Sequence, residues 1–334
     1  MSKKLMLIVA VLMVASLALA ACTPTAAPAP KIKVCQVTDT GGIDDKSFNA
    51  TAWKGVQQAV TEYGVEGKYL ESQEVADYEK NLNLFIEEKC DLIVSVGFFL
   101  TDATKIAAEA NPDMKFSIVD VSYDPVVPNI LGQVFDTDGA AFLAGYVAAG
   151  MTKTGKVATF GGFPIPTVTI FMDGFTRGVL YYNEKHGTAV EVIGWDINDP
   201  NKGLFSSSFD DQDKGRELGV SLMDEGADII MPVAGPVGLG TAQAVKERGN
   251  AWVIGVDTDW TVSAAEYKDI VLTSVLKNMD VAVFDTIKAV QAEGFAGFNG
   301  ENYVGTLAND GVGIAAVASG AVPATLKAEL DGIK

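Results

Sequence analysis

Short β-branched apolar runs recur along this chain, and between them lie stretches whose apolar residues return every three or four positions. The runs at 33–38, 92–96, 116–119, 156–160, 190–195, 229–233, 252–256 and 271–275 read as strands. The stretches at 47–63, 78–88, 101–110, 140–151, 173–183, 214–225, 240–248 and 281–293 read as amphipathic helices. Uninterrupted apolar strands separated by helices imply parallel sheets covered on both faces. Eight such units fit either a barrel or two doubly wound sheets, and no internal repeat is obvious. The residue just past a strand candidate is often polar or Gly, as at Asp39, Gly97, Asp120, Gly161, Gly235 and Asp257. Both architectures bind ligands at that end of their strands.

One apolar run is of another kind. From Leu5 to Ala21 the chain is apolar, after Lys3 and Lys4 and before Leu19-Ala-Ala-Cys22. A basic start, a short apolar stretch and a small-residue exit make an export signal over 1–21. The Cys stands where a bacterial lipobox needs it, so Cys22 is the expected lipidation site. The Pro/Ala-rich segment 22–30 reads as a tether, since repeated Pro fixes φ and removes donors. No second run is long and charge-free enough to span a bilayer.

The formal charge of −18 becomes −20 once Lys3 and Lys4 leave with the signal. A chain this acidic repels nucleic acid and anionic membrane surfaces. Beyond Cys22 only Cys35 and Cys90 remain; both sit at or beside apolar runs and read as small buried residues, with a disulfide open. No spacing calls for a metal or cofactor, and there is no GxxxxGK[ST] for a nucleoside triphosphate. The single His186 lies in the polar stretch Asn183-Glu-Lys-His-Gly187, which argues against hydrolase triads.

Four stretches carry a family likeness. They are Asp39-Thr-Gly-Gly-Ile-Asp-Asp-Lys-Ser-Phe-Asn49 with Trp53, and Ala140-Ala-Phe-Leu-Ala-Gly-Tyr146 with Lys153-Thr-Gly-Lys156. Then come Gly226-Ala-Asp-Ile-Ile230 with Ala234-Gly-Pro-Val-Gly-Leu-Gly240, and Val253-Ile-Gly-Val-Asp257 with Leu272-Thr-Ser-Val-Leu-Lys277 and Asp280-Val-Ala-Val283. In this order the chain resembles the Basic Membrane Protein family of solute-binding lipoproteins, whose best-understood members are purine-nucleoside receptors. The resemblance implies an α/β type I periplasmic-binding-protein fold: two doubly wound parallel-sheet lobes joined by a three-segment hinge. It places residues 31–135 and 258–293 in one lobe, and 136–257 and 294–334 in the other. It implies a monomer held on the outer face of the cell membrane, which hands a nucleoside to an ABC permease and its ATPase. A sugar-binding or sensory protein of the same fold is the alternative, and an enzyme is not expected.

Site residues follow from the same resemblance. Asp39 matches the carboxylate that accepts hydrogen bonds from the base, with Asn49 at the end of its motif. Phe48 and Phe209 match the rings that sandwich the base, a geometry that suits a purine. Phe205, four positions earlier, competes with Phe209. Asp120 is a further cleft carboxylate, and Gly235, Asp257 and Lys277 match the positions that hold ribose hydroxyls. Each has a plainer alternative: the three Asp as helix N-caps, the Phe as core, Gly235 as a turn, Lys277 as a surface lysine. The segment 195–208 is longer than in the simplest family members, and the helix-like stretch 325–334 leaves a short final element.

Overall fold

The computed structural model describes residues 31–293, 302–318 and 320–333. The leader and tether expected at 1–30, Cys22 included, lie outside them.

Strands β1 (Lys33–Val37), β2 (Glu66–Leu70), β3 (Leu92–Val96), β4 (Lys115–Val119), β5 (Ile130–Phe135) and β11 (Tyr303–Gly305) form one sheet. Its order is β2-β1-β3-β4-β5-β11, and every pairing is parallel. Strands β6 (Lys156–Gly161), β7 (Glu191–Ile193), β8 (Ile229–Val233), β9 (Trp252–Asp257), β10 (Val271–Lys277) and β12 (Val312–Ile314) form the second, in the order β7-β6-β8-β9-β10-β12. There β12 alone runs antiparallel, against β10. Two open sheets replace the barrel alternative. Each follows the order 2-1-3-4-5 from its own first strand, so the repeat that the sequence hides is present in the topology.

Helices α1 (Phe48–Tyr63), α2 (Asp77–Glu87) and α3 (Thr101–Ala110) cover the first sheet. Helices α4 (Thr137–Met151), α5 (Pro166–His186), α6 (Gln212–Asp224), α7 (Val237–Arg248), the single turn α8 (Trp260–Ser263) and α10 (Ala324–Ile333) belong with the second. Between them in sequence, α9 (Met279–Glu293) packs on α1. The chain therefore changes sheet after Phe135, after Lys277 and after Gly305. This corrects the expected division: β10, within the segment 258–293 assigned to the first lobe, pairs with β9 in the second sheet. Conversely β11, assigned to the second lobe, pairs with β5 in the first. The crossings are tied to one another by Asp136 N–H on Gly305 O at 2.8 Å and Asn278 N–H on Gly311 O at 2.9 Å.

Local chemistry sets these elements. Helix α1 ends at Gly64, whose φ of 67° lets its N–H reach Val60 O. Helix α5 starts seven residues before the expected 173, because Pro166 takes the first helical position, where its missing N–H costs nothing. At Gly145 a Cβ would lie 2.0 Å from Phe175 O, so the Ala-Gly-Tyr motif is the seam that lets α4 and α5 touch. The Lys153-Thr-Gly-Lys156 turn is clamped by Asp228, which accepts from Thr152 Oγ1 and Lys153 N–H at 2.6 Å and from Thr154 N–H at 3.2 Å. Cys35 in β1 and Cys90 just ahead of β3 are both buried and form a disulfide.

Candidate functional site

The switch point of a doubly wound sheet falls where the chain leaves the first strand one way and the next the other, which opens a crevice at the strand ends. In the first sheet the loops after β1 and β3 meet there; in the second, those after β6 and β8 do. The two crevices face each other across one cavity of about 580 Å³, counting the part open to solvent.

Asp39 follows β1 and is almost fully buried. Its Oδ1 accepts from Gly41 N–H at 3.0 Å and from Asn49 Nδ2 at 2.7 Å. Burial outweighs these bonds and pushes its carboxyl up to about 6. Asn49 is oriented by Asp45, whose carboxylate accepts the N–H groups of Ser47, Asn49 and Ala50 at the start of α1. Burial raises Asp45 to about 7 despite those donors. The Asn49 Oδ1 is buried without a partner, a free acceptor beside the Asp39 carboxylate. Gly97 has φ of 121°, and a Cβ there would meet Asp39 Oδ2 at 3.1 Å; only Gly allows this approach.

Asp120 follows β4, Asp257 ends β9 and Lys277 ends β10. Lys277 Nζ lies 2.5 Å and 2.7 Å from the two Asp120 oxygens, and both side chains are buried. The ammonium also stands 5.0 Å from the Phe48 ring centre, 5.4 Å from Phe135 and 5.8 Å from Phe171. Asp257 accepts from Ser47 Oγ at 2.7 Å, a bond between the two lobes. Desolvation raises both carboxyls, with Lys277 pulling against it. Asp120 and Asp257 adopt φ of 73° and 68°, left-handed conformations that cost a non-glycine residue about 1 kcal/mol or more. Neither caps a helix: Asp259 caps α8 through Thr261 N–H. Strain concentrated on two buried carboxylates at one cleft is the mark of a site.

The apolar part is aromatic. Phe48 opens α1. Phe209 is held by the loop at 204–208, which pairs with the end of β6 through Ser206 N–H on Gly161 O and Ser207 N–H on Gly162 O. Phe209 sits in a cluster with Phe99 at 6.2 Å and Phe163 at 5.1 Å. Phe205 packs edge-on against Trp195, away from the cavity.

All eight residues singled out from the sequence, Asp39, Phe48, Asn49, Asp120, Phe209, Gly235, Asp257 and Lys277, line this one cavity. Lys277 pairs directly with Asp120, and Asp257 takes Ser47, because β4 of the other lobe brings the Asp120 carboxylate to the end of β10. The sequence reading missed Asp45, Phe98, Phe99, Thr167 and Phe171 as lining. Asp45 stood inside the quoted motif, but Phe99 and Phe171 look like ordinary core residues. His186 is remote and bonds Glu329 at the surface. Among the described residues no group of His, Cys, Asp and Glu could hold a metal ion.

The family model described as ABC transporter substrate-binding protein PnrA-like matches residues 32–330. Basic membrane protein A of Borreliella burgdorferi is 35% identical over 254 residues, 75% of this chain and 70% of the relative. The ABC transporter nucleoside-binding protein BmpA of Lactococcus lactis is 32% identical over 272 residues, 76% of this chain and 73% of the relative. A solved solute-binding protein of an ABC transporter system from Aeropyrum pernix K1 superposes with a TM-score of 0.76 at 27% identity, covering 90% of this chain and 85% of that one.

Proposed function

This chain belongs to the Bmp family of PnrA-like ABC transporter substrate-binding proteins, and we propose that the solute it binds is a purine nucleoside. Its fold is the two-lobed type I periplasmic-binding-protein fold, and it is a binding protein of a transport system, not an enzyme. The observation that carries the ligand reading is the pairing of two kinds of surface in one cavity. Aromatic rings at Phe48 and Phe209 offer stacking to a flat base, which is worth about 1–3 kcal/mol per base. Buried polar groups offer matched partners. Asp39 and the free Asn49 Oδ1 accept from base N–H groups, while Lys277 donates to ribose oxygens and Asp120 and Asp257 accept from ribose hydroxyls.

Calorimetry with guanosine, inosine, adenosine, the bare bases and simple hexoses tests this. Nucleosides should bind about 2–4 kcal/mol more tightly than bare bases, because a site built for hydroxyls keeps unpaired polar groups without them. Equal affinity for base and nucleoside removes the sugar role of Asp257 and Lys277. Tight binding of a hexose with no nucleoside binding leaves the family and overturns the ligand.

Delivery to an ABC permease and its ATPase, from a monomer anchored at Cys22 on the outer face of the cell membrane, completes the proposal. The lipobox at 19–22 and the nucleoside-binding ABC relative support it. Cys22→Ala should move the protein from the membrane fraction to the soluble one, and retention after a salt wash would rule the anchor out.

A further inference from the structure

Beside the main cavity a second hollow lies between the lobes, of about 780 Å³ on the same scale. The two share Gly41, Asp45 and Pro236, so the hollow is the outer reach of one cleft. Its first-lobe wall carries Asp44, Asp45 and Glu71, and its second-lobe wall carries Asp210 and Glu266. Among the described residues that line it, Lys46 alone is basic. Two acidic walls facing each other repel, and the repulsion grows as the cleft narrows.

One contact spans this hollow against that repulsion. Lys46 Nζ donates to Glu266 Oε1 at 2.8 Å and joins the first lobe to the second. Both side chains are nearly half exposed, and neither lines the main cavity. Each is braced from behind. Lys46 stands between Asp45, whose carboxylate takes three N–H groups at the start of α1, and Ser47, which donates to Asp257 across the cleft. Its φ of 56° is a left-handed conformation, which a residue other than Gly keeps only where its neighbours fix the turn. Glu266 lies in the short 3₁₀ helix Ala265–Ile270, and its carbonyl accepts from Lys246 Nζ of α7 at 2.7 Å. Lys46 holds the Glu266 carboxyl below its usual range. The Lys277–Asp120 pair also joins the lobes, but Lys277 stands where the chain crosses between them, and a hinge rotation displaces it least.

We propose that Lys46 and Glu266 are the clasp of the cleft: they touch no solute, yet they hold the acidic walls together over the bound nucleoside and set the rate at which it leaves. The proposal rests on the nucleoside reading of the main site. Both are positioning residues, acting through the closure of the lobes. Guanosine is uncharged, so neither charge steers its approach. The effect of the pair therefore falls on release.

Loss of radiolabelled guanosine from the whole protein into excess unlabelled guanosine gives the dissociation rate. Equilibrium dialysis gives the affinity, and the two together give the association rate. Lys46→Met removes the bridging charge and should speed release about fivefold, with association within about twofold of native. Lys46→Glu adds a like charge and should speed it about tenfold or more. Lys46→Glu/Glu266→Lys restores the pair with its charges exchanged and should return release to within about twofold of native. A mere disturbance of the loop at 45–47 would not be rescued by that exchange. In about 0.5 M salt the gap between Lys46→Met and native should shrink below about twofold, because these side chains are exposed to screening. Native binding of guanosine with unchanged release in Lys46→Met, a loss carried by association, or no rescue by the exchange overturns the clasp alone. Absence of guanosine binding by the native protein overturns the nucleoside reading and the clasp with it.

Discussion

Replacing Lys277 by Met keeps the aliphatic stem and removes the charge, which isolates the electrostatic role of a residue only 2% exposed. Among the described residues no other cation then pairs with Asp120, and it must protonate or remain charged in the interior. Protonation sets the ceiling on the cost. The ordinary carboxyl value is 3.8; holding the group neutral at pH 7 against that value costs about 4 kcal/mol, at 1.36 kcal/mol per pH unit. This agrees with the 3–5 kcal/mol expected for removing one partner of a buried pair. At pH 4.5 the same arithmetic leaves about 1 kcal/mol. Asp257, which Lys277 also favours in its charged form, adds to the loss in the same direction. Urea unfolding followed by tryptophan fluorescence at both pH values reads the deficit as a shift in midpoint. The other buried carboxyls titrate in both proteins and cancel in the difference. The double variant Lys277→Met/Asp120→Asn should recover most of the loss at pH 7, because no charge is stranded. A deficit that is the same at pH 7 and 4.5, or a double variant no better than the single one, would refute this reasoning.

Asp39, raised to about 6, gives ligand binding a pH dependence of definite sign. Its ionised form is the acceptor, so affinity should fall as pH drops below 6, by about tenfold at pH 5 relative to pH 7.5. Asp39→Asn should bind more weakly and lose that slope; a slope that persists in this variant assigns it to another group. The Cys35–Cys90 cross-link closes a loop with a sequence separation of 55. On the chain-entropy account it disfavours the unfolded state by about 4 kcal/mol. Cys35→Ala/Cys90→Ala should lower the guanidinium midpoint accordingly while calorimetry finds nucleoside affinity unchanged, and a loss under about 1 kcal/mol would contradict that account.

What the sequence shows of this fold depends on burial. Strands β1, β3, β4, β8, β9 and β10 lie inside their sheets, are covered on both faces, and stand out as apolar runs. Strand β2 forms the edge of the first sheet, with three of its five residues exposed, and leaves no such trace. Strand β5 carries Gly132 and Gln133; a Cβ at Gly132 would lie 2.3 Å from Val121 O, and Gln133 is buried on Ser117 and Thr286. Those partners exist only after folding. Strands β11 and β12 have three residues each, too few for any period. Lobe membership failed for a related reason, since nothing in Val271–Lys277 says which sheet will accept it. Asp39, Asp120 and Asp257 were legible as polar residues just past strand candidates, and the role of Lys277 came with the family resemblance. The site was not legible where another lobe decides, as in the choice of Asp120 over Asp257 as the lysine's partner, or the arrival of Phe99 beside Phe209.

The bond between Cys35 and Cys90 makes the stability of the first lobe a function of address. The bond joins β1 to the residue just ahead of its neighbour β3, so the same polypeptide has two denaturation curves, one for reducing surroundings and one for oxidising ones. An extracytoplasmic binding protein is made in the former and works in the latter. In its dithiol form it lies nearer its unfolding midpoint. Oxidised, it lies further from that midpoint by the entropy of the closed loop. The cross-link thus ties the margin of stability of this lobe to the redox state of its surroundings.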